Sequence, residues 1–326
     1  MPTEFDYLLD KVRSAPFEEE PFQHLEIQNF LSEEHFHALT HQPQLDLPAS
    51  RDAGDLIDRL ERTGYTIIPF PGCVTSRREY LAWLEEKRES RIHAATESSG
   101  IVLRLTDYRS DLLKRFNAFL TSPQFQAMLS EKFGIDGRVQ IDAGLQKYLH
   151  GYEISPHPDI RRKALTWMLN LNPAQNSESL GFHTHYLRLK PQWRFITEFW
   201  KGNPDIDRDW LPWSWCETVK QQCANNSIVI FSPADDTLHA VKADYDHLTT
   251  QRTQFYGNLW YPARPLAKVD FGEFEFGGRA QQRHAQKQRR TQVINAMKTT
   301  QFGKHAVSLL DVLRHRHVDT VRNVKA

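Results

Sequence analysis

The segment Tyr148-Leu149-His150-Gly151-Tyr152-Glu153-Ile154-Ser155-Pro156-His157-Pro158-Asp159 carries a His-x-Asp triplet. In extended backbone, residues i and i+2 point to the same side, so His157 and Asp159 can converge on one metal ion. A later run, Ser227-Ile228-Val229-Ile230-Phe231, reads as a strand and leads through a turn to His239-Ala240-Val241. Two imidazoles and one carboxylate on an octahedral ion leave three cis positions open. Those positions can take a bidentate ligand and a further small molecule together. Arg252 lies thirteen residues after His239 and opens another strand-like run that ends Leu259-Trp260-Tyr261. Its guanidinium is a planar fork suited to a carboxylate.

The elements that must position these residues change character along the chain. Residues 1–137 read mainly as helix. Ser32 can cap a helix carrying Phe36 and Leu39, and Asp55 to Arg62 places Leu56, Ile57 and Leu60 on one face. Ser122-Pro123 is an N-cap and N1 pair opening a helix that Gly134 closes. Tyr65 to Ile68 and Ile101 to Leu105 read as short strands. From 138 to 264 short β-branched or aromatic runs dominate: Val139 to Leu149, Ala164 to Leu171, Ser227 to Phe231 and Thr253 to Trp260. Helices followed by spaced strands predict an α+β unit, an antiparallel sandwich buttressed by helices. A Trp-rich insertion is expected at about 174–226, holding Trp193, Trp200, Trp210, Trp213 and Trp215. It is long enough to require packed structure of its own.

On these motifs the chain resembles the Fe(II)/2-oxoglutarate-dependent dioxygenases of the prolyl 4-hydroxylase-like branch. The resemblance spans roughly 138–262. It rests on a Tyr nine residues before the first metal His and on Pro-His-x-Asp. It rests also on the strand Ala164-Leu165-Thr166-Trp167-Met168-Leu169-Asn170, on His239-Ala240-Val241, and on Arg252 with Trp260-Tyr261. It implies a double-stranded β-helix, a jelly-roll core. It implies that His157, Asp159 and His239 hold Fe(II) and act as the catalytic centre. Arg252 would bind the C5 carboxylate of 2-oxoglutarate, with Tyr148, Thr166 and Asn170 on the same co-substrate side. Dioxygen would be the second co-substrate. The implied reaction hydroxylates an unactivated C–H bond and releases succinate and CO2. The expected substrate is a small metabolite: an amino-acid, sugar or natural-product derivative. A peptidyl or prolyl hydroxylase, a non-catalytic jelly-roll binding protein and a hydrolase using another metal are the alternatives. A carboxylate at position 159 argues against a halogenase, which the resemblance says needs a small residue there.

Other features bound the reading. Lys plus Arg and Asp plus Glu both total 41 in 326 residues, so the net charge is zero and a whole-surface nucleic-acid clamp is not expected. That zero is a cancellation. Residues 279–326 hold eleven Lys or Arg against two Asp. The basic extension, 265–326, is expected to be helical, docked on the barrel or on a second copy in a homodimer. Three cysteines without a CxxC pair suit a reducing compartment. The first residues lack a secretory pattern, and no apolar run approaches the roughly 20 residues of a membrane span. A cytoplasmic location is therefore expected. His183-Thr184-His185 is a second His pair, expected to line the substrate pocket or pack on the Trp-rich segment. Asp235-Asp236 reads as a solvated turn and His315-Arg316-His317 as an exposed helix end.

Overall fold

The computed structural model describes residues 3–69, 73–85, 95 and 98–263, with Gln286, Arg289, Thr291 and Gln292 beyond them. The chain divides into two units, 1–265 and 266–326. Apart from Gln286, Arg289, Thr291 and Gln292, the expected helical extension, with its dimer contact and His315-Arg316-His317, lies outside the described residues. Among the described residues no helix is long and apolar enough to cross a membrane.

The first unit begins with α1 (Tyr7–Ser14), β1 (Leu25–Ile27), α2 (Glu33–Thr40), α3 (Ala53–Arg62), β2 (Tyr65–Ile67), α4 (Arg77–Glu85), β3 (Val102–Leu105), α5 (Asp111–Leu120) and α6 (Pro123–Lys132). Side-chain oxygens start four of the helices, at Ser32 and Ser122 as the sequence predicts and at Asp52 and Ser110 besides. Ser32, Asp52, Ser110 and Ser122 each accept from the backbone N–H three residues on. Then come β4 (Gln140–Tyr148), β5 (Glu153–His157), β6 (Lys163–Asn170), β7 (Thr184–Leu189), α7 (Phe195–Gly202), β8 (Cys216–Gln221), β9 (Ile228–Phe231), β10 (His239–Lys242) and β11 (Arg252–Trp260).

Seven strands form one antiparallel sheet in the order β1-β9-β6-β11-β4-β3-β2, and four form another in the order β5-β10-β7-β8. From β4 to β11 the chain changes sheet at every step except between β7 and β8. Two expectations need correction here. The segment 174–226 is not an insertion into the sandwich, because β7 and β8 lie within it and supply half of the smaller sheet. The alternation in Thr184–Leu189 is short and sits beside aromatic clusters that mask it in the sequence. The helical part is also not purely a buttress, since β1, β2 and β3 extend the larger sheet at both edges.

Alternation along β4 and β11 decides which residues meet which layer. On the helix side, Leu145, Phe255 and Leu259 are buried with Trp167 and Leu169 of β6 and with Phe116 and Phe125 of the helices. Burying each such side chain contributes about 1.5–3 kcal/mol. Gly257 faces this layer, and a Cβ there would overlap the Trp167 ring. On the other side, Tyr148, Arg252, Gln254, Tyr256 and Asn258 face the cavity between the sheets. One strand pair therefore builds the core with one face and the site with the other.

Candidate metal centre and the cavity beside it

His157 ends β5 and His239 begins β10, and the two are directly opposed across that antiparallel pair. Their ring centroids are 4.4 Å apart. Each Nδ1 meets the backbone carbonyl two residues back, Ser155 at 2.8 Å and Thr237 at 3.0 Å. A carbonyl can only accept, so both Nδ1 atoms carry the hydrogen and both Nε2 atoms present a lone pair. Those lone pairs face Asp159: His157 Nε2 is 4.0 Å from Oδ1 and His239 Nε2 is 3.9 Å from Oδ2. All three side chains are buried. Burial, and then the neighbouring His239, push the His157 imidazole down to about 3 despite Asp159. Burial lowers His239 as well. Both rings are therefore neutral near pH 7, the form that ligates a metal.

Asp159 is held on both oxygens. Lys163 Nζ lies 2.5 Å from Oδ1, and Thr166 Oγ1 donates to Oδ2 at 2.6 Å. Burial alone would raise this carboxyl, but Lys163 and the two histidines outweigh it and keep it below the ordinary carboxylate range. Burial likewise opposes the Lys163 charge, yet Asp159 and Tyr256 hold its ammonium above the ordinary lysine range. Lys163 is also bonded to the Tyr256 hydroxyl at 2.9 Å.

The residues fit a divalent cation. The three ligand atoms lie within 4.8 Å of one another. Ligands at about 2.1 Å on one octahedral face stand about 3 Å apart, so small side-chain rotations close the gap. Backbone carbonyls fix both imidazole tautomers, as is usual for ligating histidines. The donor set of two neutral nitrogens and one carboxylate suits Fe(II), with three positions left open.

The cavity beside this trio has a volume of about 430 Å³, within the roughly 300–1,000 Å³ usual for small-molecule sites. Arg252 forms part of its wall and is only 2% exposed. Nη2 donates to Thr184 Oγ1 at 2.9 Å, and the guanidinium sits 4.6 Å from the Tyr148 ring centroid. Among the described residues no carboxylate lies within 4.0 Å of it. Burial lowers its pKa, against the pull of Tyr148 and other tyrosines, but a guanidinium has no accessible neutral form near pH 7. A buried cation on the cavity wall with no carboxylate in ion-pair reach calls for an anion from outside.

Tyr148 points to the same place. With the Gln146 amide turned so that both its neighbours are satisfied, its oxygen accepts from Arg104 Nη2 at 2.7 Å and Nε at 3.0 Å. Its nitrogen then donates to the Tyr148 hydroxyl at 2.6 Å. The phenolic proton, kept on by burial, is left for a ligand in the cavity.

The structure thus gathers His157, Asp159, His239, Arg252 and Tyr148 around one cavity. It places two other expected residues elsewhere. Thr166 touches the Asp159 carboxylate and is not part of the cavity wall. Asn170 is also outside the wall: its amide donates to the Gln222 and Ala224 carbonyls at 3.0 and 3.1 Å and accepts from Gln254 at 2.7 Å. It closes the gap between β6 and the turn before β9. His183 bonds to the Glu178 carbonyl at 3.1 Å, and His185 meets Thr218 and the Trp213 ring; neither lines the cavity. Asp235 is more than a solvated turn. It pairs with Arg161 at 3.1 Å and with Arg208 at 3.6 Å. Lys163, Gln146, Arg104 and Thr184 are not evident from the sequence, because the groups they meet are brought to them by strand register, a chain return or the facing sheet, which spacing alone does not reveal. Trp210, one of the five clustered tryptophans, reaches the cavity 6.4 Å from the His157 ring. Its indole N–H has no hydrogen-bond partner among the described residues.

No family model and no curated protein matches the chain. Among solved structures, it is similar to a prolyl 4-hydroxylase of Pseudomonas putida, 12% identical with a TM-score of 0.37, over 79% of this chain and 100% of that one. It is similar to a Trichoplax adhaerens prolyl hydroxylase, crystallised with a hypoxia-inducible-factor peptide, at 13% identity and a TM-score of 0.38, over 78% and 88% of the two chains. It is also similar to SnoN, a non-heme α-ketoglutarate-dependent epimerase of nogalamycin biosynthesis, at 12% identity and a TM-score of 0.28, over 78% and 81%.

Proposed function

We propose that this chain is an Fe(II)- and 2-oxoglutarate-dependent oxygenase that hydroxylates a small metabolite. The observation that carries the reading is the pairing of two features in one cavity. At one place two imidazole lone pairs face a buried carboxylate; at another a buried arginine lacks an acid. The sheet-changing course of β4 to β11 is read as the winding of a double-stranded β-helix.

In this reading His157, Asp159 and His239 hold Fe(II). Iron, 2-oxoglutarate and dioxygen supply the chemistry: the co-substrate is decarboxylated to succinate and CO2, one oxygen atom enters succinate, and the other enters the substrate as hydroxyl. The chain's own residues do the rest. Arg252 takes the far carboxylate of the 2-oxo acid, and Tyr148 donates its phenolic proton to the same group. Lys163 and Thr166 fix Asp159 so that the carboxylate does not rotate. Trp210 covers the His157 side of the cavity, helps to exclude water and offers its indole N–H to a polar atom of the substrate. The segment bearing Trp210 is fastened to the metal loop by Leu211 N–H to the Pro156 carbonyl at 2.7 Å and by Arg161 to the Trp200 carbonyl at 2.8 Å.

The test is succinate formation from 2-oxoglutarate, run with a substrate library and read by mass spectrometry for the gain of one oxygen. The expected result is a dependence on Fe(II), 2-oxoglutarate and dioxygen that Asp159→Ala abolishes. A protein that binds neither Fe(II) nor 2-oxoglutarate would be a binding module instead. Metal-dependent turnover without dioxygen or 2-oxoglutarate would make it a hydrolase.

A further inference from the structure

A third histidine is prepared in the same way as the two at the candidate metal centre. At the other edge of the sandwich, His24 Nδ1 lies 2.8 Å from the Phe22 carbonyl, again two residues back. That carbonyl fixes the hydrogen on Nδ1 and turns the Nε2 lone pair inward. His24 is 0% exposed, its ring stacks on Tyr186 at 5.9 Å, and Nε2 has no hydrogen-bond partner among the described residues. Nε2 faces two carboxylates. Glu18 Oε2 is 3.7 Å away, too far for a hydrogen bond, and the ligand atoms of Glu18, His24 and Glu26 all lie within 4.8 Å of one another. An acceptor turned toward acceptors is unfavourable unless a cation stands between them.

Lys220 is the other charged group present. Its ammonium lies 2.7 Å from Glu18 and also touches Glu26. It offsets one of the two negative charges and leaves the imidazole lone pair unmet. Lys220 belongs to edge strand β8, and its side chain is 29% exposed, so it can turn out to solvent.

We propose that Glu18, His24 and Glu26 form a second, structural site for a divalent transition-metal ion, with Lys220 displaced on binding. Two carboxylate oxygens and one neutral imidazole suit Zn²⁺ and its neighbours; the nitrogen ligand disfavours Ca²⁺ and Mg²⁺. The ion ties the Glu18 side of the Glu18–His24 bridge to the start of β1, the edge strand of the larger sheet, and so fixes that turn. Phe22, Tyr186 and Phe231 pack beside it and keep water from the buried imidazole.

The experiment is equilibrium dialysis of the untagged full chain against Zn²⁺ with metal analysis. It is made in wild type and in a His157→Ala/Asp159→Ala background that removes the first site. Two ions per chain are expected in wild type and one in that background, at micromolar Zn²⁺ or below. Adding His24→Ala or the near-isosteric Glu26→Gln should abolish the remaining ion. Adding Lys220→Met should tighten it at least tenfold, because the competing ammonium is gone. The background variant should also melt higher with Zn²⁺ than without. No Zn²⁺ retained in the background, retention that survives both His24→Ala and Glu26→Gln, or weaker binding in Lys220→Met would each overturn the proposal. Any of these would leave the cluster as a lysine–glutamate ion group.

Discussion

Two buried cations lie almost back to back in this molecule, and they behave differently. Lys147 and Tyr148 of β4 pair with Thr253 and Arg252 of β11, so Lys147 points to the helix side of the sheet and Arg252 to the cavity side. Lys147 Nζ donates to the Leu45 carbonyl at 2.9 Å and to Thr253 Oγ1 at 2.8 Å. Burial pushes its pKa down to about 7, against a weak pull from Asp46. It can therefore shed its proton and remain well bonded as an amine. Arg252 can do neither. Its charge is fixed, and one threonine hydroxyl and one aromatic face are its main partners. Burial of a positive group does not by itself mark a ligand site. The mark is burial of a charge that cannot be neutralised and opens onto a cavity.

The largest way to break this contrast is to remove the metal end of the cavity. His157→Ala or Asp159→Ala should lower Fe(II)-dependent succinate formation by roughly a thousandfold or more, with iron retention lost on dialysis. Unchanged turnover would detach the Arg252 cavity from any metal chemistry.

The Lys147 face is tested by pH. Its folded pKa lies below the unfolded one, so between pH 7 and 9.5 the unfolded chain binds more protons and stability rises with pH. The expected gain over that window is about 3 kcal/mol by denaturant titration. Lys147→Met should flatten the slope and leave 2-oxoglutarate affinity within about twofold of wild type. A slope that persists in the variant would mean that another group is responsible.

Next is Arg252→Leu, with a cost of about 2 kcal/mol, or roughly 30-fold, in the dissociation constant for 2-oxoglutarate. Without ligand the variant should melt no lower than wild type, since it removes a buried charge that has no acid. A lower melting temperature with unchanged affinity would make Arg252 structural, like Lys147. Thr166→Val removes one donor to Asp159 and should weaken Fe(II) binding about tenfold in a competitive chelator titration. The smallest effect belongs to Gln146→Glu. A carboxylate there takes the Tyr148 proton for itself, and 2-oxoglutarate affinity should fall about fivefold. Equal affinity would mean that Tyr148 does not donate to the co-substrate.

The local features of this fold were legible in the sequence because local rules govern them. Ser32 and Ser122 cap as expected, and alternation around His157 and Asp159 brings both to one side. The strand from Arg252 was evident from its aromatic and β-branched content. What escaped depends on register. Nothing in spacing says that Lys163 returns to Asp159, that Thr184 meets Arg252, or that Arg104 sets the Gln146 amide. Asn170 shows the opposite error: its type and position suggested a co-substrate contact, but sheet pairing commits its amide to Gln222, Ala224 and Gln254. The Glu18, His24 and Glu26 group was not evident either, since it forms only when the chain turns back so that Glu18 pairs with His24 and the Phe22 carbonyl takes the Nδ1 hydrogen.

The central claim is that one cavity binds a metal at its His157, Asp159 and His239 end and a 2-oxo acid at its Arg252 end. Calorimetric titration of 2-oxoglutarate into the anaerobic full chain, with and without Fe(II), tests it most directly. The account predicts one-to-one binding that requires Fe(II), is lost in Asp159→Ala and is weakened about 30-fold in a still folded Arg252→Leu. Binding that is indifferent to Fe(II) and to Arg252, or no binding at all, would contradict it.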